Sequence, residues 1–484
     1  MLKVLGATLL LAVALTSVPG MAAPPVVKVD GGAVRGTETN TFRGIPFAAA
    51  PVGERRWREP APISPWSGVR DATKPPPACI QNDQGWNKGD FVSGQEDCLT
   101  LDLRTPSLTG KRPVMVWIHG GSNRAGSPGD MVSSPIANEL VLVAVRYRLG
   151  IFGFLSHPKL TSEQGGSGNY GLMDQVAALR WIKRNIAKFG GDPDNVTIVG
   201  ESAGSQDVSL LLAAPQARTL FHKAIMESGT PQFGLPTRSL RDAERIGQQA
   251  GDLLGAGGDL NNLRKASVPA LLAVDKQLHD DALEADDYLW LRTTVDGKVI
   301  TDEPAVLLSN GPPRPVIVGS NRFELDLPGG RTRRDAFLAK AFGPKVDTAR
   351  AFYESEPADG RLGDMDQRIA TDVTFRCPTV NLAALLTRRG APVWHYEFDV
   401  GPNGGMTRHS YEIGFAFGDE SFANGASLRP YWINFARTGD PNGAGVAAWP
   451  RFEAASKAHV RFSDAGVTAY GALRPEICAM FDRL

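Results

Sequence analysis

Several things that other protein classes need are scarce or missing in this chain of 484 residues. Lys plus Arg and Asp plus Glu balance at 52 each. No run of like charge stands out, which argues against a nucleic-acid footprint or a polybasic membrane anchor. There are four cysteines and seven histidines, and none forms a Cys-x-x-Cys or Cys/His metal pattern, so no zinc is expected. No internal repeat and no low-complexity linker interrupts the chain, which excludes a solenoid and favours one large domain over several tethered ones. Charged residues make up 21 % and apolar ones 42 %, ordinary values for a folded, soluble protein. A small or neutral molecule fits this charge balance better than a polyelectrolyte.

What is present begins with an N-terminal address. Met1-Leu2-Lys3 is followed by an apolar stretch from Val4 to Val18 and then by Pro19-Gly20-Met21-Ala22-Ala23. The small residues resemble a signal-peptidase site, and the stretch falls short of the about 20 apolar residues that span a bilayer. Residues 1–23 are therefore expected to be a cleaved signal peptide, with 24–484 as the mature domain and no stable membrane insertion afterwards. In an exported chain Cys79, Cys98, Cys377 and Cys478 suggest two disulfides. Three pairings are possible, and the short separation of Cys79 and Cys98 favours joining those two.

The order of elements follows from hydropathy. Around Lys28 to Arg43 the alternation about glycines predicts hairpins at a sheet edge. Apolar runs at Leu99–Leu103, Val114–Ile118, Val141–Val145 and Val196–Val199, with further ones from Pro315 and from Val393, predict strands covered on both faces. Helical spacing of Val176, Leu179, Ile182 and Ile186 predicts a helix over 172–189, stopped at Gly190-Gly191. Alternating strands and helices are the grammar of a doubly wound, mostly parallel sheet. Residues from about 235 to 312 read as helices inserted between core strands.

The chemistry is signalled by two glycine-rich turns, each following an apolar strand. Gly200-Glu201-Ser202-Ala203-Gly204 connects Val196–Val199 to a helical stretch, which is the context a Gly-x-Ser-x-Gly nucleophile turn requires. Its small residues allow a tight, strained turn that projects the Ser202 hydroxyl. His119-Gly120-Gly121-Ser122 follows Val114–Ile118 and can aim backbone N–H groups at the oxygen of a tetrahedral intermediate.

Together with Gly44 to Ala48, Glu96 to Leu99, Tyr147 to Phe154, Gly168 to Gln175 and Trp432 to Asn442, these turns give the chain a resemblance to the type B carboxylesterase family, which includes cholinesterases and bacterial para-nitrobenzyl esterases. The resemblance covers nearly the whole mature chain. It implies an α/β-hydrolase fold, an α/β architecture with a large, mostly parallel central sheet, helices on both faces and inserted helical segments. It implies Ser202 as nucleophile, His409 in Arg408-His409-Ser410-Tyr411-Glu412-Ile413 as base, and Glu324 in Val318-Gly319-Ser320-Asn321-Arg322-Phe323-Glu324 as acid. Phe323 stands where the family usually has Asp, and Asp326 lies close enough to rival Glu324. Gly121, Ser122 and Ala203 are the implied oxyanion donors, with Ser122 replacing a third glycine. Glu201 and Ser228 are expected to support the reacting groups from behind, and Arg56 with Glu96 to form a structural ion pair. The resemblance also supports Cys79 with Cys98 and Cys377 with Cys478.

The expected activity is hydrolysis of a small-molecule ester through an acyl-enzyme, with no cofactor. A lipase, an amidase or specialised detoxifying esterase, and a non-catalytic binding module are the alternatives on the same fold. Trp86 does not match the cholinesterase offset from Cys79, so packing is expected of it. Phe91, Phe233, Tyr288, Trp290, Phe415 and Phe417 are pocket candidates by placement, with core packing the simpler expectation for each. The stretch between Glu324 and His409 is short for the family and suggests a shallow gorge open to bulky esters.

Overall fold

A computed structural model describes residues 24–280, 292–327 and 330–484. The expected signal segment, Tyr288 and Trp290 lie outside the described residues. The core is a ten-stranded sheet. Across it run Gly466–Tyr470, His459–Ser463, Val393–Asp399, Val316–Asn321, Lys223–Glu227, Gly191–Glu201, Arg112–Ile118, Val141–Val145, Thr100–Arg104 and Thr41–Pro46. The strands from His459–Ser463 to Val141–Val145 pair in parallel, and the outer strands at both edges pair antiparallel. The sheet is thus mostly parallel, as the apolar runs predict.

Those runs are apolar because the sheet is buried on both faces. In Arg112–Ile118 the side chains of Val114, Val116 and Ile118 enter one core cluster, and Met115 and Trp117 enter the other. Val141–Val145 alternates in the same way, with Val143 in the first cluster and Leu142 in the second. The expected N-terminal hairpin is Val26–Val29 against Gly32–Arg35, in a small separate sheet. The helix predicted over 172–189 spans Tyr170–Asn185 and tightens into a 3-10 turn, Ile186–Phe189. Gly190 at φ 75° then ends it, a left-handed cap that suits glycine. Helices Leu240–Leu253, Leu260–Lys265, Val268–Asp275 and Pro304–Ser309 fill the insertion between core strands.

Both disulfides have the expected pairing. Cys79–Cys98 closes a loop beside the first cluster, and Cys377–Cys478 fastens the C-terminal helix into a third, smaller cluster. Arg56 grips Glu96 with both arms of its guanidinium at 2.6 and 2.5 Å, and it donates to the carbonyls of Arg264 and Ala266. It therefore ties the disulfide loop to the inserted helices. Among the described residues no helix is long and apolar enough to cross a membrane.

Candidate active site

At the C-terminal end of Gly191–Glu201 the chain turns sharply at Ser202, φ 55° and ψ −126°, into the helix Ala203–Ala213. A non-glycine residue rarely holds such a backbone unless its surroundings impose it. Here a Cβ on Gly200 would lie 2.4 Å from the backbone of Gly204, and one on Gly204 would lie 2.1 Å from the Ile118 carbonyl. Only glycine lets strand and helix approach this closely, and the N–H of Ser202 donates to the Glu227 carbonyl at 2.9 Å. The strained turn thus points the Ser202 hydroxyl away from the sheet.

Two other loops meet it there. His409 Nε2 lies 2.8 Å from Ser202 Oγ, and its Nδ1 lies 2.7 Å from Glu324 Oε2. Glu324 follows Val316–Asn321 and is buried, with Oε1 accepting from the Asn321 N–H at 2.7 Å. The rival Asp326 is exposed and accepts from Gln367 at 2.8 Å, away from His409. The structure therefore brings Ser202, His409 and Glu324 together and leaves Asp326 outside.

Glu201 also faces the imidazole, 3.3 Å from Nε2, and accepts from the Ser410 hydroxyl at 2.6 Å. Burial opposes protonation of His409, but the Glu201 and Glu324 carboxylates outweigh it and push the imidazole up to about 9. Burial likewise raises Glu201, with the His409 charge and the Ser410 hydroxyl pulling it back. Ser228 donates to Glu412 at 3.0 Å. It reaches Glu324 through Asn321, whose Nδ2 donates to Glu412 at 2.7 Å and lies 3.4 Å from Glu324 Oε2. Burial and the neighbouring carboxylates push Glu412 up to about 8. Sequence reasoning gave Glu412 no role, because its contacts come from strands far away in the chain.

The opposite wall is the loop after Arg112–Ile118. It bends through Gly121 at φ 104°, then Ser122 and Asn123 at 56° each. Among the described residues no backbone acceptor takes the N–H of Gly121 or Ser122. Ala203 opens its helix, so its N–H has no acceptor within that helix. A Cβ on Gly120 would lie 3.0 Å from Ser202 Cβ, so this loop closes directly over the Ser202 turn. His119 is buried and stacks on Tyr147 at 4.5 Å, and burial lowers it to about 4, which keeps it neutral. Gln81, from the disulfide loop, exchanges two hydrogen bonds with Gly126 at 2.7 and 2.9 Å.

The aromatic expectations divide. Phe415 and Phe417 are core residues, as the simpler reading had it. Phe233 stacks edge-on against Phe375, which lies 5.1 Å from the His409 ring, so these two border the site. Phe375 carried no signal in the sequence. The packing expectation for Trp86 is overturned: the residue is 65 % exposed, and a Cβ on Gly121 would lie 3.2 Å from its ring. The disulfide loop carries the ring to the side of the loop at Gly121, where solvent still reaches it. No cluster of ligating side chains suited to a metal ion occurs among the described residues.

With this geometry in place, the comparisons with known proteins agree on one family. The carboxylesterase family model matches residues 23–481. Carboxylesterase 4A of Bos taurus is 33 % identical, over 88 % of this chain and 89 % of its own. The fumonisin B1 esterase of Sphingopyxis macrogoltabida is 34 % identical, over 93 % and 88 %. A thermophilic PNB esterase structure superposes with TM-score 0.83 at 30 % identity, covering 94 % of this chain and 99 % of that one. The chain belongs to the carboxylesterase family, has the α/β-hydrolase fold, and is a carboxylic ester hydrolase.

Proposed function

We propose that the chain hydrolyses small-molecule carboxylic esters through an acyl-enzyme, with Ser202 as nucleophile, His409 as general base and Glu324 as the acid that orients it. The observation that carries this reading is the continuous hydrogen-bond chain from Ser202 Oγ to His409 Nε2 and from His409 Nδ1 to Glu324. With its proton on Nδ1, His409 presents a lone pair to the serine hydroxyl. It takes that proton as Oγ attacks the ester carbonyl. The carbonyl oxygen becomes an oxyanion and accepts from the N–H groups of Gly121, Ser122 and Ala203. As the intermediate collapses, His409 returns the proton to the departing alcohol. Water then repeats the sequence on the acyl group and frees Ser202. Glu201 and Glu324 stabilise the imidazolium that forms at each step, consistent with the raised basicity of His409.

We further infer that residues 1–23 direct export and are removed, leaving 24–484 as one catalytic domain. The two disulfides suit an oxidising compartment, and the family match begins at residue 23. One experiment tests both statements. A fluorophosphonate probe should label the protein recovered from its producing cells and should fail on Ser202→Ala, and mass spectrometry of the labelled chain should place its start near Ala23. Equal labelling of Ser202→Ala would sink the nucleophile, and an intact Met1 would sink the export.

A further inference from the structure

The oxyanion loop adopts a backbone that its residues do not favour by themselves. Ser122 and Asn123 both lie in the left-handed region, between Gly121 and Gly126 at φ 104° and 107°. Consecutive left-handed positions without glycine persist only where tertiary contacts impose them. The contacts here converge on one carboxylate. The buried Asn123 donates from Nδ2 to Asp207 Oδ1 at 3.0 Å, and Gln175 donates from Nε2 to Asp207 Oδ2 at 2.5 Å. The Tyr147 hydroxyl donates its one proton to the His119 carbonyl at 2.7 Å and lies 3.2 Å from Asn123 Oδ1. Asp207 itself sits on Ala203–Ala213, the helix whose first residue supplies an oxyanion N–H. It thus joins the two elements that must converge on the substrate oxygen.

Two further observations separate a holding role from a binding one. Asp207 is completely buried, and its hydrogen-bond partners are neutral amides. The adjoining cavity, lined by Asn123, Gln206 and Asp207 among others, measures about 10 Å³, room for no more than a single water. The carboxylate faces no ligand-sized space. It also carries a fold penalty, since a buried carboxylate without a cation is expensive. Nothing in the Gly-x-Ser-x-Gly turn demands an acid five residues after the nucleophile.

We infer that Asp207 is a positioning residue for ester hydrolysis: by gripping Asn123 it holds the oxyanion loop against the N-terminus of the nucleophile helix, keeping the three N–H groups convergent. This rests on the reading of Gly121, Ser122 and Ala203 as oxyanion donors. Loss of the grip leaves Ser202, His409 and Glu324 in place and loosens only the stabilisation of the developing negative charge. The effect therefore belongs in kcat and not in ground-state binding.

The test uses the full mature enzyme with p-nitrophenyl acetate. Asp207→Ala removes the acceptor. Asn123→Gly removes the donor while leaving a residue that tolerates φ 56°. Each should lower kcat by about 10- to 100-fold, the scale of one misplaced oxyanion donor, with KM changed by less than about twofold. The double variant should be no slower than the worse single one, because both remove the same tether. A trifluoromethyl ketone, which forms the oxyanion adduct, should lose affinity in step with kcat. Asp207→Asn should recover most of the activity: its carbonyl oxygen can accept from Asn123, and its amide can donate to a flipped Gln175, whose Oε1 has no hydrogen-bond partner now. A lowered unfolding temperature with kcat within about twofold of wild type would overturn the inference, as would additive losses in the double variant. If wild type escapes fluorophosphonate labelling, it is the nucleophile reading that falls; labelling of wild type with a catalytically unaffected Asp207→Ala isolates the failure to this inference.

Discussion

The two walls of the active site are built by different means. On the wall proposed to carry the acid and base the working atoms belong to side chains: His409 is held between Ser202 and Glu324 by contacts of 2.8 and 2.7 Å, with Glu201 3.3 Å away. On the wall proposed to bind the oxyanion the working atoms would be backbone N–H groups, with side chains holding the backbone. Asn123 reaches Asp207, and Gln81 clasps Gly126. The first wall can be disarmed by changing one functional group. The second keeps its donors whatever the side chain and yields only when its supports are moved. Substitutions on the two walls should therefore differ in size and in kind.

The largest contrast lies within the first wall. Replacing a triad carboxylate by its amide typically lowers kcat by about 10⁴-fold, because the imidazole loses its tautomer and the support for its positive charge. Glu324→Gln is expected to fall by about 10³- to 10⁴-fold in kcat on this basis. Asp326→Asn should stay within about twofold, since its carboxylate is exposed and engaged by Gln367. Steady-state rates of the two variants decide the assignment, and the opposite ranking would move the acid to Asp326.

A smaller effect distinguishes Glu201 from Glu324 by pH. As the proposed base, His409 must be neutral to accept the serine proton, so kcat/KM should rise as pH climbs through its pKa. Nearby carboxylates favour the imidazolium and push that pKa up to about 9, Glu201 through its charge and Glu324 through both its charge and its hydrogen bond. Removing one such charge lowers the pKa, so Glu201→Gln should move the acid limb of the kcat/KM profile to lower pH. Activity above pH 9 should fall far less than in Glu324→Gln. A limb that stays in place would assign the raised basicity to Glu324 and Glu412 without Glu201.

The same contrast explains what could be read from the chain. The parallel strands were legible because burial on both faces demands unbroken apolar runs such as Val114–Ile118 and Val141–Val145. Ser202 was legible because the strain of its turn requires small neighbours at fixed offsets. His409 and Glu324 were not legible from local physics, since the hydrogen bonds to His409 cross 207 and 85 residues of chain. Family resemblance supplied them. Neither Asp207 nor Asn123 announced itself, because a polar residue on a helix or in a glycine-rich loop normally faces water. Trp86 misled because packing was inferred from its offset from Cys79, whereas the disulfide loop leaves it exposed beside Gly121.

The smallest expected effect tests whether the oxyanion wall can adjust specificity without losing its chemistry. Ser122 is exposed, at φ 56°, where a family glycine is expected. A left-handed serine costs about 1–2 kcal/mol that glycine avoids, but glycine also gives the loop more freedom. These effects oppose each other, and both variants keep the N–H. Ser122→Gly should therefore stay within about threefold of wild type in kcat on p-nitrophenyl acetate, a change of less than about 1 kcal/mol in the barrier. Losing the hydroxymethyl group should show instead as preference. Bulky acyl esters should gain on acetyl esters by about tenfold in kcat/KM, the low end of what one methylene-sized group contributes to discrimination. An unchanged ratio would place the Ser122 side chain away from the acyl group and leave its strain purely structural. A changed ratio at nearly constant acetate turnover would mark the difference between the walls: a backbone donor leaves its own side chain free to select substrates, whereas His409 and Glu324 have no such freedom.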